Sequence, residues 1–304
     1  MRKARFVWSE GYRADMGDHI FPIEKYTLLH ERSLAENVLK EDDFTEPSPV
    51  SDDDLKLVHL EHYLLRLEML ADSPFGMMNG ENPVNWSILE GSRLACGGTY
   101  LACRIALECG MGMNLGGGFH HAFPDHEEGF CYYSDIAIAI RKLKGEGMVG
   151  KVMVIDCDVH QGNGTAFIFR DDSDVFTFSI HQEDNYPPKE KSDHDIGLYS
   201  WDGVDDEVYL RELRVLDQLV PEFAPGLAIY IAGADVYMED QLGGFRLTKG
   251  GIAERDDYVI GTVRGHGVPL AALLGGGYAI DKNDTVEIHL NTIRMVKGHM
   301  GEDV

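Results

Sequence analysis

Residues 151–164 read "KVMVIDCDVHQGNG", an uncharged apolar run followed by Asp156, Asp158 and His160 at every second position. An apolar run this short with no polar face is the pattern of a strand buried on both sides, which belongs to a parallel sheet covered by helices. The chemical side chains come at its carboxyl end, where loops gather and ligands bind in an open parallel α/β sheet. At i, i+2 and i+4 they would project to one side of an extended strand end.

Working outward, the same alternation repeats. Apolar runs stand at 112–117 ("GMNLGG"), 174–180 ("DVFTFSI"), 226–233 ("GLAIYIAG") and 268–277 ("VPLAALLGGG"). Helical patterns separate them at 132–143, 164–169, 207–220 and 249–265. The alternation continues from about 111 to 297 without a break, which predicts an α/β fold with one central parallel sheet flanked by helices on both faces. Residues 1–304 are therefore read as a single domain. Ahead of it, Leu94, Leu101, Ile105 and Leu107 predict a helix over 92–109 stopped by Gly110. Ser51 is a candidate N-cap after an acidic loop at 40–54, preceding apolar Leu55, Val58, Leu64 and Leu65.

The 52 acidic residues against 27 basic ones give a formal charge of -25. That balance disfavours nucleic acid and anionic membrane as partners and favours cationic ligands. Five cysteines, with no CxxC pair, read as reduced thiols and fit a cytoplasmic protein. The basic N-terminus lacks the apolar segment of a secretion signal, and no run reaches the length of a membrane span.

Each apolar run ends in chemistry. "GGGFHH" at 116–121 delivers His120 and His121, "GADV" delivers Asp235, and "GGGY" delivers Tyr278. Asp158, His160 and, from a different strand, Asp235 offer oxygen and nitrogen donors suited to Zn²⁺, Fe²⁺ or Mn²⁺, with a position left open. Support is the preferred role for Asp156. A divalent ion at such a site acidifies water and polarises a carbonyl. Amide or ester hydrolysis then needs a base, an acid for the leaving group and an oxyanion donor, and two histidines and a tyrosine are at hand.

The segments "GGGFHHAFPDHEEGFCYYSDIAIA" (116–139), "VIDCDVHQGNGTA" (154–166), "FSIHQEDNYP" (178–187), "IAGADVYMEDQLGGFRLTKGGIAERD" (231–256) and "LLGGGY" (273–278) resemble, in order, the motifs of the zinc-dependent histone deacetylases and related acetylpolyamine amidohydrolases. "DHIFPIEKYTLLHERSL" and "LVHLEHYL" look like the smaller class IV and bacterial branch. The resemblance implies an arginase/deacetylase fold with about eight strands, and removal of an acyl group from an amine. It implies that Asp158, His160 and Asp235 hold Zn²⁺, with Fe²⁺ an alternative in the cell. His121 would be the general base, His120 would help manage the leaving amine, and Tyr278 would donate to the oxyanion. Asp156 would accept from His120 and, with Ser179, lie near a structural monovalent cation such as K⁺. Gly129 and Phe130 would form one wall of an acyl-lysine tunnel, with Tyr186 or Pro187 opposite, Leu242 nearby, and Gly118 and Gly276 at its floor.

One departure stands out. Class I members carry Asp where this chain has Asn163, so the partner of His121 would be neutral and its imidazole less basic. Two other readings compete: a ureohydrolase, which needs a second metal and more carboxylates than "DVHQGN" and "GADV" offer, and a binder of acyl-lysine or polyamine without turnover. Among deacylases, a protein or peptide acyl-lysine leads because no insertion narrows the entrance. The negative charge keeps acylated polyamine in play. Acyl length depends on pocket depth around 116–119 and 129–133, and the oligomeric state is left open.

Overall fold

A computed structural model of the chain describes residues 5–73, 77–78 and 82–300. In chain order the strands are β1 (Phe6–Val7), β2 (Phe44–Thr45), β3 (Met77–Met78), β4 (Asn82–Pro83), β5 (Met111–Asn114), β6 (Val152–Asp156), β7 (Val175–Gln182), β8 (His194–Leu198), β9 (Leu227–Ile231) and β10 (Leu270–Leu273). Eight of them form one sheet in the order β2-β1-β5-β10-β9-β6-β7-β8, and β3 pairs only with β4. Every pairing in the large sheet is parallel.

The runs lack a polar face because both faces are covered. Met153 and Ile155 of β6 join one core cluster with Tyr230, Ala272, Ile260 and Ile293, while Val152 and Val154 join another with Ile229, Leu273, Ile136 and Ile140. Successive side chains on a strand point to opposite faces, so burying both demands apolar residues at every position.

Register positions the functional edge. Asn114, Leu273, Ile231, Asp156 and Ser179 are successive Cα partners across β5, β10, β9, β6 and β7. The segments that follow these residues leave the sheet side by side.

Several expectations change in detail. The helix before β5 runs Trp86–Cys109, capped by Asn85, which accepts from Ile88 N at 2.9 Å. Its buried stripe is Gly91, Ala95, Gly98, Ala102 and Ala106, and Leu94, Leu101, Ile105 and Leu107 are only half-buried. Small residues take the inner face because the helix lies close on β5, where a side chain at Gly112 would meet the Ala102 carbonyl. Ser51 caps a helix of four residues, Asp52–Leu55, and a separate helix Glu61–Ala71 follows, so Leu64 is buried and Leu65 is exposed. The 207–220 pattern divides into Asp206–Leu213 and Leu216–Phe223, with Tyr209, Leu213, Leu216 and Val220 keeping the apolar face continuous across the break. Strands β1, β2 and β8 went unsignalled: two are two residues long, and β8 is an edge strand reached from β7 without a helix.

Candidate active site

Asp158, His160 and Asp235 meet just beyond β6 and β9, all three buried, with one donor atom from each within 4.8 Å of the others. His160 Nδ1 lies 3.1 Å from Asp158 Oδ1 and 3.2 Å from Asp235 Oδ2. The remaining oxygens are held by backbone donors, Gly276 N to Asp158 Oδ2 at 2.7 Å and Val159 N to Asp235 Oδ1 at 2.9 Å. Asp235 is thus anchored by one oxygen and presents the other, while Asp158 is held by backbone donors at both oxygens. Burial and the Asp158 charge push the Asp235 carboxyl up, as expected of two carboxylates crowded in a buried site. Two oxygen donors and one imidazole nitrogen in that setting fit a borderline divalent metal ion.

Extended-strand geometry does not create this convergence. The strand ends at Asp156, and Asp158 Oδ1 accepts from His160 N at 3.0 Å, so a tight turn brings the imidazole round to its neighbour's carboxylate.

His120 and His121 arrive from the loop after β5 with ring centroids 4.0 Å apart. Their Nδ1 atoms take unlike partners: Asp156 Oδ2 at 2.7 Å for His120, Asn163 Oδ1 at 2.8 Å for His121. Burial disfavours charge on both rings. For His120 the Asp156 and Asp158 carboxylates outweigh it and push the imidazole up to about 9. For His121 burial wins, reinforced by His120 and His160, and the ring is held well below its ordinary range. One imidazole is set to be charged and its neighbour neutral, as the Asn163 position suggested.

The glycines ahead of them make room for protein. Gly117 and Gly118 have φ of 77° and 85°, values that other residues rarely adopt. A Cβ at Gly117 would enter the Asp135 carboxylate and the Thr99 hydroxyl, and one at Gly118 would enter the backbone of Gly275. Asp135 is wholly buried and accepts from Gly118 N at 2.9 Å, Phe119 N at 2.7 Å and Thr99 Oγ1 at 2.5 Å. The backbone carrying both histidines is therefore wrapped around one buried carboxylate.

A cleft of about 490 Å³ opens above the triad, lined by His121, His160, Tyr278, Gly129, Phe130, Tyr186 and Leu242. Gly118 and Gly276 line a smaller inner pocket beside Asp158. Phe130 has a φ of 65° after Gly129 at 50°, a left-handed turn that sets its ring 6.0 Å from that of Tyr278. Burial, then the charges of Asp158 and Asp235, hold the Tyr278 phenol well above its usual range, so it stays a donor. Ser179 sits beside Asp156 in register, its hydroxyl 2.9 Å from His181 Nδ1.

Other contributors were missed. Asp18, His19 and Ile20, which open the segment "DHIFPIEKYTLLHERSL", complete the cleft wall from far along the chain, a place their local sequence does not show. Arg255 is fully buried behind the triad, with Nη1 donating to Cys157 O at 3.1 Å and Gly233 O at 2.7 Å. Its other nitrogens reach Asp256, which also accepts from Tyr230 and Thr292. A signal existed: Ile252, Arg255, Asp256, Val259 and Ile260 fall on the inner stripe of the helix Lys249–Gly265, a charged pair at core positions. Glu128, between Asn163 and Tyr186, is the third omission.

The histone deacetylase domain matches residues 19–293, which include every one of these groups except Asp18. The chain belongs to the histone deacetylase family. The chain is 38% identical over 274 residues to an uncharacterized protein of Picosynechococcus sp., covering 90% of this chain and 91% of that one. It is 32% identical to histone deacetylase 2 of Arabidopsis thaliana, over 91% of this chain and 75% of the relative. The crystal structure of a histone deacetylase homologue from Aquifex aeolicus superposes with a TM-score of 0.83 at 26% identity, covering 98% of this chain and 84% of that one. The arginase/deacetylase fold expected from the motifs is the fold found. The family assignment sets the ureohydrolase reading aside, and the triad, the sole such group among the described residues, suits one metal ion. Among those residues no helix is long and apolar enough to cross a membrane.

Proposed function

We propose that this protein hydrolyses the acyl amide of a lysine side chain in a protein or peptide, with Zn²⁺ on Asp158, His160 and Asp235 and Fe²⁺ as the alternative ion. The observation that carries the reading is the pair of adjacent imidazoles with unlike partners, His120 on Asp156 and His121 on Asn163, beside a buried two-carboxylate, one-imidazole donor set. Tyr278 lines the same cleft.

When bound, the ion supplies Lewis acidity, polarising the amide carbonyl and acidifying water. His121 takes the proton of the attacking water at Nε2, since its Nδ1 is committed to Asn163. The Tyr278 hydroxyl donates to the oxyanion as the carbonyl becomes tetrahedral. His120, charged beside Asp156, steadies the developing negative charge and helps the amine depart. Phe130, Tyr186 and Leu242 hold the lysyl methylenes and keep water from the cleft wall. The inner pocket beside Asp158, bordered by Gly118 and Gly276, receives the acyl group. A structural K⁺ beside Asp156 and Ser179, Cα partners on adjacent strands, belongs to the same reading.

Acylated polyamine is the second substrate reading, favoured by Asp18 on the cleft wall and the net charge of -25. A single deacetylase domain over 1–304, the class IV or bacterial branch and a cytoplasmic location complete the proposal. It is supported by one sheet that draws β1 and β2 from the first 45 residues and by five free cysteines.

Amine release tests it, measured on acetyl-lysine peptide, longer acyl-lysine peptides and acetylputrescine, before and after chelation and with Zn²⁺ or Fe²⁺ restored. Turnover of acetyl-lysine peptide that disappears on chelation and returns with metal supports the assignment. A protein that turns over none of these with either metal is a binder, and the enzymatic reading fails.

A further inference from the structure

Glu128 stands between Asn163 and the cleft residue Tyr186, with its side chain about one-quarter exposed (23%). It is presented by a tight turn, in which Cys131 N donates to Glu128 O at 2.9 Å and Glu128 N to Cys131 O at 3.3 Å. One oxygen, Oε1, accepts both from Asn163 Nδ2 at 3.0 Å and from the Tyr186 hydroxyl at 3.0 Å. The other faces His126 Nε2 at 3.5 Å.

Hydrogen-bond bookkeeping turns this contact into chemistry. A carboxylate only accepts, so Asn163 must turn its NH₂ toward Glu128 and its oxygen toward His121. Gly164 N holds that oxygen from the other side at 3.0 Å. An amide oxygen also only accepts, so His121 must carry its proton on Nδ1, which leaves the Nε2 lone pair free. With the amide reversed, Nδ1 would become the acceptor and the proton would sit on Nε2, the nitrogen that must take a proton from water. An aspartate at 163 would need no such lock, because both of its oxygens accept.

We infer that Glu128 is a positioning residue: it fixes the NH₂ end of the Asn163 amide, as the Gly164 N–H fixes the oxygen end, and through that amide the His121 tautomer, and it ties the lock to Tyr186 on the substrate wall. The catalytic part of this rests on His121 acting as the base of the proposed deacylase.

The test uses the full-length protein with ¹⁵N-labelled histidine, reading the His121 tautomer by long-range ¹H–¹⁵N correlation and, separately, kcat and KM on acetyl-lysine peptide. Wild type shows Nδ1–H. Glu128→Ala shows a mixture of tautomers, with kcat lowered about tenfold by loss of the productive form. Glu128→Gln, whose carbonyl can accept both bonds, keeps mostly Nδ1–H and most of kcat. Adding Asn163→Asp to Glu128→Ala restores Nδ1–H, because no amide remains to reverse. An unchanged tautomer in a folded Glu128→Ala protein overturns the inference, as does a double variant that stays mixed. If wild type turns over no acyl amine, the proposed function fails, yet the tautomer comparison still decides the role of Glu128.

Discussion

The back of the site and its mouth are built on opposite plans. Behind the triad, Arg255 and Asp256 are fully buried, and every polar partner they use is buried with them: the Cys157 and Gly233 carbonyls, Tyr230 and Thr292. Cys157 adjoins Asp158, and Gly233 stands two residues before Asp235, so one guanidinium ties together both loops that deliver carboxylates to the triad. At the mouth, Ile20 and Tyr186 are exposed at 45% and 40%, and the walls come from four distant segments, 18–20, 129–130, 185–186 and Leu242. The contrast separates two demands. A metal site tolerates little positional error and needs a saturated, dry backing, whereas a substrate entrance needs shape and some freedom.

Variants should grade along that axis. The largest effect is expected at the triad: Asp158→Ala should lose the metal, seen by elemental analysis of the purified protein, and with it all measurable turnover. Retained stoichiometric metal would break the assignment. Next come the reacting groups, whose loss should leave metal content and fold intact. His121→Ala is expected to lower kcat by about 10²–10⁴, and Tyr278→Phe by about 10²–10³, with near-normal rates in either refuting its role. Arg255→Met leaves Asp256 buried without its cation and should cost about 3–5 kcal/mol of stability, read as a fall in the urea midpoint. If the midpoint stays put while metal affinity drops, the clamp acts on the ligand loops alone. The smallest effect belongs to the mouth: Leu242→Ala should raise KM less than tenfold with kcat nearly unchanged, and a large kcat loss would erase the distinction between the two regions.

How much could be read in advance varied with how local the cause was. "VMVIDCDVH" announces a buried strand ending in metal-binding chemistry, since both the two-sided apolar run and the donors are consecutive. Asn163 announces a neutral partner for His121, and the structure has it at 2.8 Å. What the glycines of "GGGFHH" make room for is not legible, because Asp135 and Gly275, the groups they accommodate, lie 17 or more positions away. The Arg255–Asp256 pair was legible only as a charge on an apolar stripe, and that stripe exists only once the helix packs against the sheet. Two-residue strands such as β1 and β2 have no periodicity to detect.

By itself the sequence determined the layered α/β fold, the edge of the sheet where chemistry collects, and the carboxylates and imidazoles that gather there. Those follow from composition and spacing within a few residues, where apolar burial and donor chemistry act directly. Tertiary structure alone decided that β5, β10, β9, β6 and β7 end in one row, that a turn rather than the pleat joins His160 to Asp158, and which groups fix the amide of Asn163. These depend on register and on hydrogen bonds between segments far apart in the chain, and such distances are set only when the packed sheet chooses its neighbours.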